Sequence, residues 1–245
     1  MSSSSRMLGA IGAAGLALGT LATPASAEDR EFKWYATLTG ASDYMFRGIS
    51  FTDEKPTVNA YFEASYGIAY LATWTSNIDN GDYGPWEQDI YVGLRPVTGP
   101  ISWDFALWYY MYGSKNASSF SDLDYIELKA SASATPVENL STSVTFYYTP
   151  DQGVSTPVTW TVEGGLGYTL PAVGIFTPKI NGIYGYSEAD NGTGWFLGED
   201  DYTYWNAGLN LAVEKWTFDF RYWDTNIDDG LADERFVFTA AITLP

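Results

Sequence analysis

Cysteine and histidine are both missing from this chain of 245 residues. Without cysteine there is no disulfide framework and no thiolate zinc site. Without histidine there is no imidazole to act as base, acid or metal ligand. No run of 18 or more apolar residues occurs, which excludes a transmembrane helix from the mature chain. Bases are scarce as well: 12 Lys and Arg stand against 30 Asp and Glu, for a net charge of -18. Such a chain repels phosphate, so nucleic acid is no partner. A hydrolase lacking histidine would need a carboxylate pair, and no spacing in the sequence singles one out. The chain reads as a non-enzyme without cofactor or metal.

Residues 1–27 have the pattern of a cleaved secretory signal. Arg6 precedes an apolar run from Met7 to Leu21, Pro24 breaks it, and Ala25-Ser26-Ala27 supplies the small residues of a cleavage site. A buried helix fits poorly, because Gly9, Gly12, Gly15 and Gly19 would weaken it. The mature chain, 28–245, is then a single domain.

Aromatic residues are plentiful, with 10 Trp, 19 Tyr and 13 Phe, and they recur with period two. Trp216, Phe218, Phe220 and Tyr222 share one face of a segment whose other face holds Lys215, Thr217, Asp219 and Arg221. Trp205, Ala207, Leu209 and Leu211 lie opposite Tyr204, Asn206, Gly208 and Asn210. Such alternation predicts twelve strands, near 32–43, 56–66, 68–77, 86–96, 101–112, 123–134, 139–149, 157–170, 174–187, 201–212, 215–226 and 235–244. Each is long enough to cross a bilayer at a tilt, which takes about 9–11 residues. The connections alternate between short turns and long loops, the arrangement of outer-membrane barrels. Trp34, Tyr66, Trp103 and Trp216 toward the turns, and Trp74, Trp86 and Tyr222 toward the loops, suggest two interfacial girdles.

These features predict an all-β, up-and-down antiparallel transmembrane β-barrel of 12 strands in the outer membrane of a Gram-negative bacterium. Outer-membrane lipid and lipopolysaccharide would surround it. A secreted β-sandwich is the alternative, because alternation alone does not say whether an apolar face meets lipid or a core.

The segment Ser42-Asp43-Tyr44-Met45-Phe46-Arg47-Gly48-Ile49-Ser50, with Pro56 nearby, resembles the opening motif Ser-x-Tyr-x-x-Arg-Gly-Ile-Ser of the TorF-type porins of bacterial outer membranes. Residues 67–77, with Tyr70, Trp74, Ser76 and Asn77, are similar to the stretch that follows it in that family. The resemblance spans the mature chain in strand rhythm, with specific motif residues at 42–80. It implies an integral outer-membrane barrel with a transport role.

In a barrel the polar strand faces would line a lumen. Its candidates are Lys33, Glu63, Asp89, Arg95, Asp104, Glu127, Lys129, Glu163, Lys179, Asp219, Arg221 and Arg235. Mixed signs of this kind either line a narrow pore for small solutes or pair across the lumen and close it, leaving a structural or adhesive barrel. The mouth candidates are Arg47 and the acids Glu199, Asp200, Asp201, Asp228 and Asp229; few bases (Arg47, Lys55, Lys115) oppose the loop acids. Such a rim favours cations and zwitterions over anions. Arg47 is expected to fold back toward lumen carboxylates, and Gly164-Gly165-Leu166-Gly167 to kink its strand. The stretch from Trp74 to Gly81 is also echoed by that from Trp223 to Gly230.

Overall fold

Period-two alternation becomes twelve long antiparallel strands in the computed structural model, which describes residues 31–79, 84–113, 123–152, 156–190 and 192–245. The signal segment, Gly81 and Lys115 lie outside the described residues. The long strands are β1 (Phe32–Ala41), β2 (Thr57–Tyr66), β3 (Ala69–Asn77), β4 (Trp86–Leu94), β5 (Ile101–Tyr112), β6 (Tyr125–Val137), β7 (Leu140–Thr149), β8 (Thr159–Thr169), β9 (Thr177–Ala189), β10 (Asp201–Val213), β11 (Trp216–Thr225) and β12 (Arg235–Leu244). Two short pieces, Met45–Phe46 and Ile49–Ser50, pair only with each other, and Val97–Thr98 extends the β4–β5 turn.

Every long strand pairs with its neighbours in sequence, and β1 closes the ring on β12. Ala36 opposes Leu244 and Ala41 opposes Thr239 across that seam. The start of β1 and the end of β12 therefore lie on the rim of the short turns. Tight turns there use left-handed residues, Gly67 (φ +58) between β2 and β3 and Glu214 (φ +52) between β10 and β11.

Parity decides which side chains face out. Leu38, Phe62, Leu71, Val92, Phe105, Val144, Leu166, Ile180, Phe220 and Phe238 are all exposed on the outer surface. A water-soluble monomer rarely carries an apolar patch above about 300–600 Å², whereas here apolar side chains cover every strand. The surface is a lipid-facing belt, and the β-sandwich alternative falls because the sheet closes on itself with one outer and one inner face. Trp34, Tyr66 and Trp216 are exposed near the turn rim and Trp86 near the loop rim.

Trp74 does not belong to a girdle. It is 1% exposed and faces the lumen, because the outward parity of β3 falls on Leu71, Thr73 and Thr75. The glycines of β8 interrupt no pairing: its ladder to β7 runs without a bulge from Thr159 to Tyr168 and that to β9 from Thr159 to Thr169.

Candidate functional site

The loop joining β1 to β2 turns into the barrel instead of standing above it. Asp43 organises its root: Oδ1 accepts hydrogen bonds from Ser50 Oγ and Thr52 Oγ1, both at 2.7 Å, and Oδ2 pairs with Arg235 at 3.1 Å. The pieces Met45–Phe46 and Ile49–Ser50 form a hairpin whose central residues Arg47 (φ +51) and Gly48 (φ +88) are both left-handed. That is the geometry of a tight two-residue hairpin turn, at which a non-glycine residue is unusual.

The tip is held by the barrel wall. Arg47 donates to both oxygens of Glu127 on β6, at 2.7 and 3.0 Å, and its guanidinium lies over the rings of Phe46 and Tyr147 at 4.8 and 4.3 Å. Tyr110 also donates to Glu127, and the Tyr202 hydroxyl donates to the Arg47 carbonyl. Bidentate contact with aromatic stacking suits arginine and not lysine. Gly48 fits tightly: a Cβ there would stand 2.6 Å from Thr225 Cγ2 and 3.0 Å from Tyr204 Cβ.

The loop separates two apolar clusters inside the mouth half. Tyr44, Phe46 and Phe51 pack with Trp74, Ile78, Tyr110, Tyr112 and Tyr125. Met45 and Ile49 pack with Phe196, Tyr202, Tyr204, Trp223, Ile227 and Val237. The two echoed stretches thus place Trp74 with Ile78, and Trp223 with Ile227, in separate clusters around one loop.

The remaining lumen candidates fall into several groups, the first two bridged by Arg95, whose Nε lies 3.7 Å from Asp104. Glu63 takes a bidentate contact from Arg95 at 2.5 and 2.9 Å, and accepts from the Tyr35 and Tyr61 hydroxyls. Asp104 pairs with Lys129 at 2.9 Å and accepts from Tyr70, whose ring lies 3.8 Å under Arg95. Asp219 and Arg221 pair within β11. Glu163 accepts from Tyr204 at 2.6 Å. Lys179 lies along β8, where a Cβ at Gly167 would meet its Cε at 2.5 Å. Lys33 sits at the turn rim, exposed and near Glu31. Arg235 lies at the loop end between Asp43 and Glu54.

Arg47, placed by its sequence position at the mouth, is buried deep against Glu127. Of the acidic mouth residues, Glu199, Asp201 and Asp228 are exposed at the rim. Asp229 accepts from the Leu231 amide. Asp200 closes its own loop by accepting from the amides of Gly192 (2.6 Å) and Gly194 (2.8 Å), and these backbone donors hold its carboxyl below the usual carboxylate range. Among the described residues no three acidic side chains converge as a metal site.

Sequence reasoning missed Glu87, the loop residues Asp43 and Tyr44 as lumen groups, and Asn181. Glu87 and Asp89, two apart on the inner face of β4, are both fully buried. Glu87 Oε1 accepts from Tyr44 and Tyr112, and Asp89 Oδ2 from Tyr91. Glu87 Oε2 and Asp89 Oδ1 have no hydrogen-bond partner. Their shared parity was the signal: alternation puts residues 87 and 89 on the same face. Asn181, Asn206 and Asn210, on β9 and β10, likewise face inward, each with an unpartnered amide nitrogen.

A closed ring of this size with polar groups inside has counterparts among known proteins. The family profile described as "Bacterial protein of unknown function (Gcw_chp)" matches residues 25–243. The chain belongs to that family. No curated protein sequence matches it. Among solved structures it is similar to the KdgM porin, with 8% identity and a TM-score of 0.57 over 86% of this chain and 98% of that one. The KdgM porin in complex with disordered oligogalacturonate aligns equally well, at 8% identity and a TM-score of 0.56 over 87% and 99% of the two chains. LpxR from Salmonella typhimurium aligns at 8% identity and a TM-score of 0.51, over 86% and 99%. These likenesses are of fold: the chain shares with them a closed antiparallel barrel of the outer-membrane type.

Proposed function

We propose that this protein is a narrow porin of the bacterial outer membrane, passing small cationic or zwitterionic solutes past an inward-folded loop. The reading agrees with the resemblance to TorF-type porins and takes residues 28–245 as one barrel domain left after removal of the signal peptide. It assigns the barrel no catalytic role.

The observation that carries it is the acidic rim, where Glu199, Asp201 and Asp228 are exposed. Carboxylates open to water keep their charge, and a mouth lined by them attracts positive charge. KdgM has been seen with oligogalacturonate. A polyanion of that kind would meet repulsion at the mouth of this barrel, so the shared fold does not carry that cargo over.

Planar-bilayer conductance of the purified protein tests the proposal. The expected result is a small cation-selective conductance, strongest at low salt because screening lengths fall from about 30 Å at 0.01 M to about 10 Å at 0.1 M. Glu199→Gln with Asp201→Asn and Asp228→Asn should move it toward neutrality. Anion selectivity would refute the charge argument.

A second reading, a closed structural or adhesive barrel, is favoured by the loop itself, which fills the mouth half with apolar and aromatic packing. Absence of conductance at any voltage, in the native protein and in a variant whose loop is released from Glu127, would establish it.

A further inference from the structure

The inner wall from β1 to β5 carries aromatic and acidic side chains in one register. Tyr35 stands opposite Glu63, Glu63 opposite Ala72, Ala72 opposite Tyr91, and Tyr91 opposite Trp108. Ala72 is the small member of that row and leaves room for rings to meet across its strand. Tyr61 and Tyr91 do so, with ring centroids 6.4 Å apart and an interplanar angle of 29°. Tyr35 lies 5.6 Å from Tyr61, and Tyr91 lies 4.8 Å from Trp108. From Trp108 the contacts turn along β5 and β6 toward the loop rim. Trp108 to Tyr110 is 6.1 Å, Tyr110 to Tyr125 is 4.6 Å and Tyr125 to Tyr112 is 6.3 Å. Every step is within the range of aromatic contact.

The phenols of this chain donate to carboxyl groups. Tyr35 and Tyr61 share one acceptor, Glu63 Oε2, at 3.1 and 2.6 Å. Tyr91 donates to Asp89, Tyr110 to Glu127 and Tyr112 to Glu87. A phenol that loses an electron becomes a strong acid, so an acceptor within hydrogen-bond reach lets the proton leave as the electron does. Trp108 differs. Its Nε1 has no partner, and Lys129 Nζ lies 5.3 Å from its ring centre. The ammonium opposes a radical cation there, so Trp108 transmits an oxidising equivalent and does not hold it.

We propose that these rings form a path for one-electron oxidation along the barrel wall. It carries an oxidising equivalent from a one-electron oxidant at the turn rim to Tyr112 at the loop rim. In the first step the oxidant takes an electron from Tyr35, and the phenolic proton passes to Glu63 Oε2. Tyr61 then gives an electron to Tyr35 and its own proton to Glu63, while Tyr35 recovers the proton it released. At each later step the tyrosine that is reduced takes its proton back and the one oxidised releases its own, to Asp89, Glu127 and finally Glu87. The path needs no open lumen, so it is independent of solute passage.

The absence of cysteine makes the test specific. Lys33, on the inner parity of β1 two residues before Tyr35, is exposed at the turn rim, and Lys33→Cys takes a single ruthenium tris-bipyridyl label. A flash with a sacrificial electron acceptor converts the label to ruthenium(III), the one-electron oxidant. Difluorotyrosine in place of Tyr112 gives a radical whose fluorine couplings separate it from other tyrosyl radicals in electron paramagnetic resonance. The fluorine-coupled signal should appear after the flash in the folded, detergent-purified barrel. Trp108→Phe and Tyr61→Phe each keep a ring in place and should reduce that signal at least several-fold. Heat-modifiable migration shows that each variant folds, and either one alone decides the matter. Trp103→Phe, on the lipid face of β5, should leave the signal unchanged. A missing fluorine-coupled signal before any ring of the path is changed, or one indifferent to both path substitutions, would overturn the proposal. Equal loss with Trp103→Phe would overturn it too.

Discussion

Arg47 and Glu127, 80 residues apart in sequence, are joined by two parallel hydrogen bonds inside the barrel. One belongs to the first long loop and the other to a strand half-way through the chain. Their side chains are 10% and 2% exposed, so each depends on the other for compensation. Removing one partner of a buried pair typically destabilises by about 3–5 kcal/mol, because the other is left charged in a dry site. Glu127→Gln should therefore free the hairpin tip without opening the barrel, which the other ladders hold. Trypsin cleavage at Arg47 should appear while heat-modifiable migration in gels persists. Resistance at Arg47 equal to that of the native protein would show that the aromatic packing alone holds the loop.

Gly48 gives a second handle on the same hairpin. Its left-handed backbone and its contact with Thr225 and Tyr204 leave no room for a side chain. Gly48→Val should shift the tip away from β10 and β11 and lengthen or break the bond from Tyr202 to the Arg47 carbonyl. A rise in single-channel conductance relative to the native protein is the expected readout. An unchanged conductance would mean that the loop tip does not limit the pore.

The two faces of a strand should respond differently to a buried charge. Leu209→Arg places a guanidinium in the lipid-facing belt and should destabilise by about 2–4 kcal/mol if near the bilayer midplane. Thr217→Arg, on the inward parity of β11, should be mild. Reversible urea unfolding in lipid vesicles measures both, and equal destabilisation would contradict the assigned faces.

Asp200 predicts a pH dependence confined to one loop. Its carboxyl is held low in the folded loop by the amides of Gly192 and Gly194. A depressed folded value means that the loop closure is fully present above the ordinary carboxylate pKa. It is lost as pH falls through the lowered one. The amide resonances of Gly192 and Gly194 should move together in that acidic window and be insensitive to pH near neutrality. Asp200→Asn should abolish the transition. Titration near neutrality would instead assign the closure to another group.

Much of the fold could be read from the chain because a barrel wall is built from local rules. Alternation at 215–224 tells which side of β11 meets lipid, and the spacing of turns and loops tells how many strands there are. The inner constellation was less legible. Charges such as Glu63 and Arg95 could be assigned to the lumen by parity, but their pairing depends on strands brought side by side by register, which no local pattern records. Trp74 was misplaced for a related reason: an aromatic near a strand end fits both a membrane interface and a packed mouth, and parity has to decide. The loop at 42–56 was the hardest to read. Its apolar residues Tyr44, Met45, Phe46, Ile49 and Phe51 have no period, and only burial against both walls explains them. Asn206 and Asn210 fall on the polar face of β10 by alternation, but without charge they were not singled out as lumen groups.

The seam between β1 and β12 has a kinetic consequence. It pairs the first and last strands of the sheet through six residues, from Ala36 with Leu244 to Ala41 with Thr239, where β1 and β2 pair through ten. All other ladders join neighbours in sequence and can zip hairpin by hairpin with little loop entropy to overcome. The seam joins residues about 200 positions apart, so it gains nothing until the rest of the sheet has curled. It is therefore the last ladder to form and the first to part, and the Asp43–Arg235 contact at its loop end ties the packing of the inner loop to that final step.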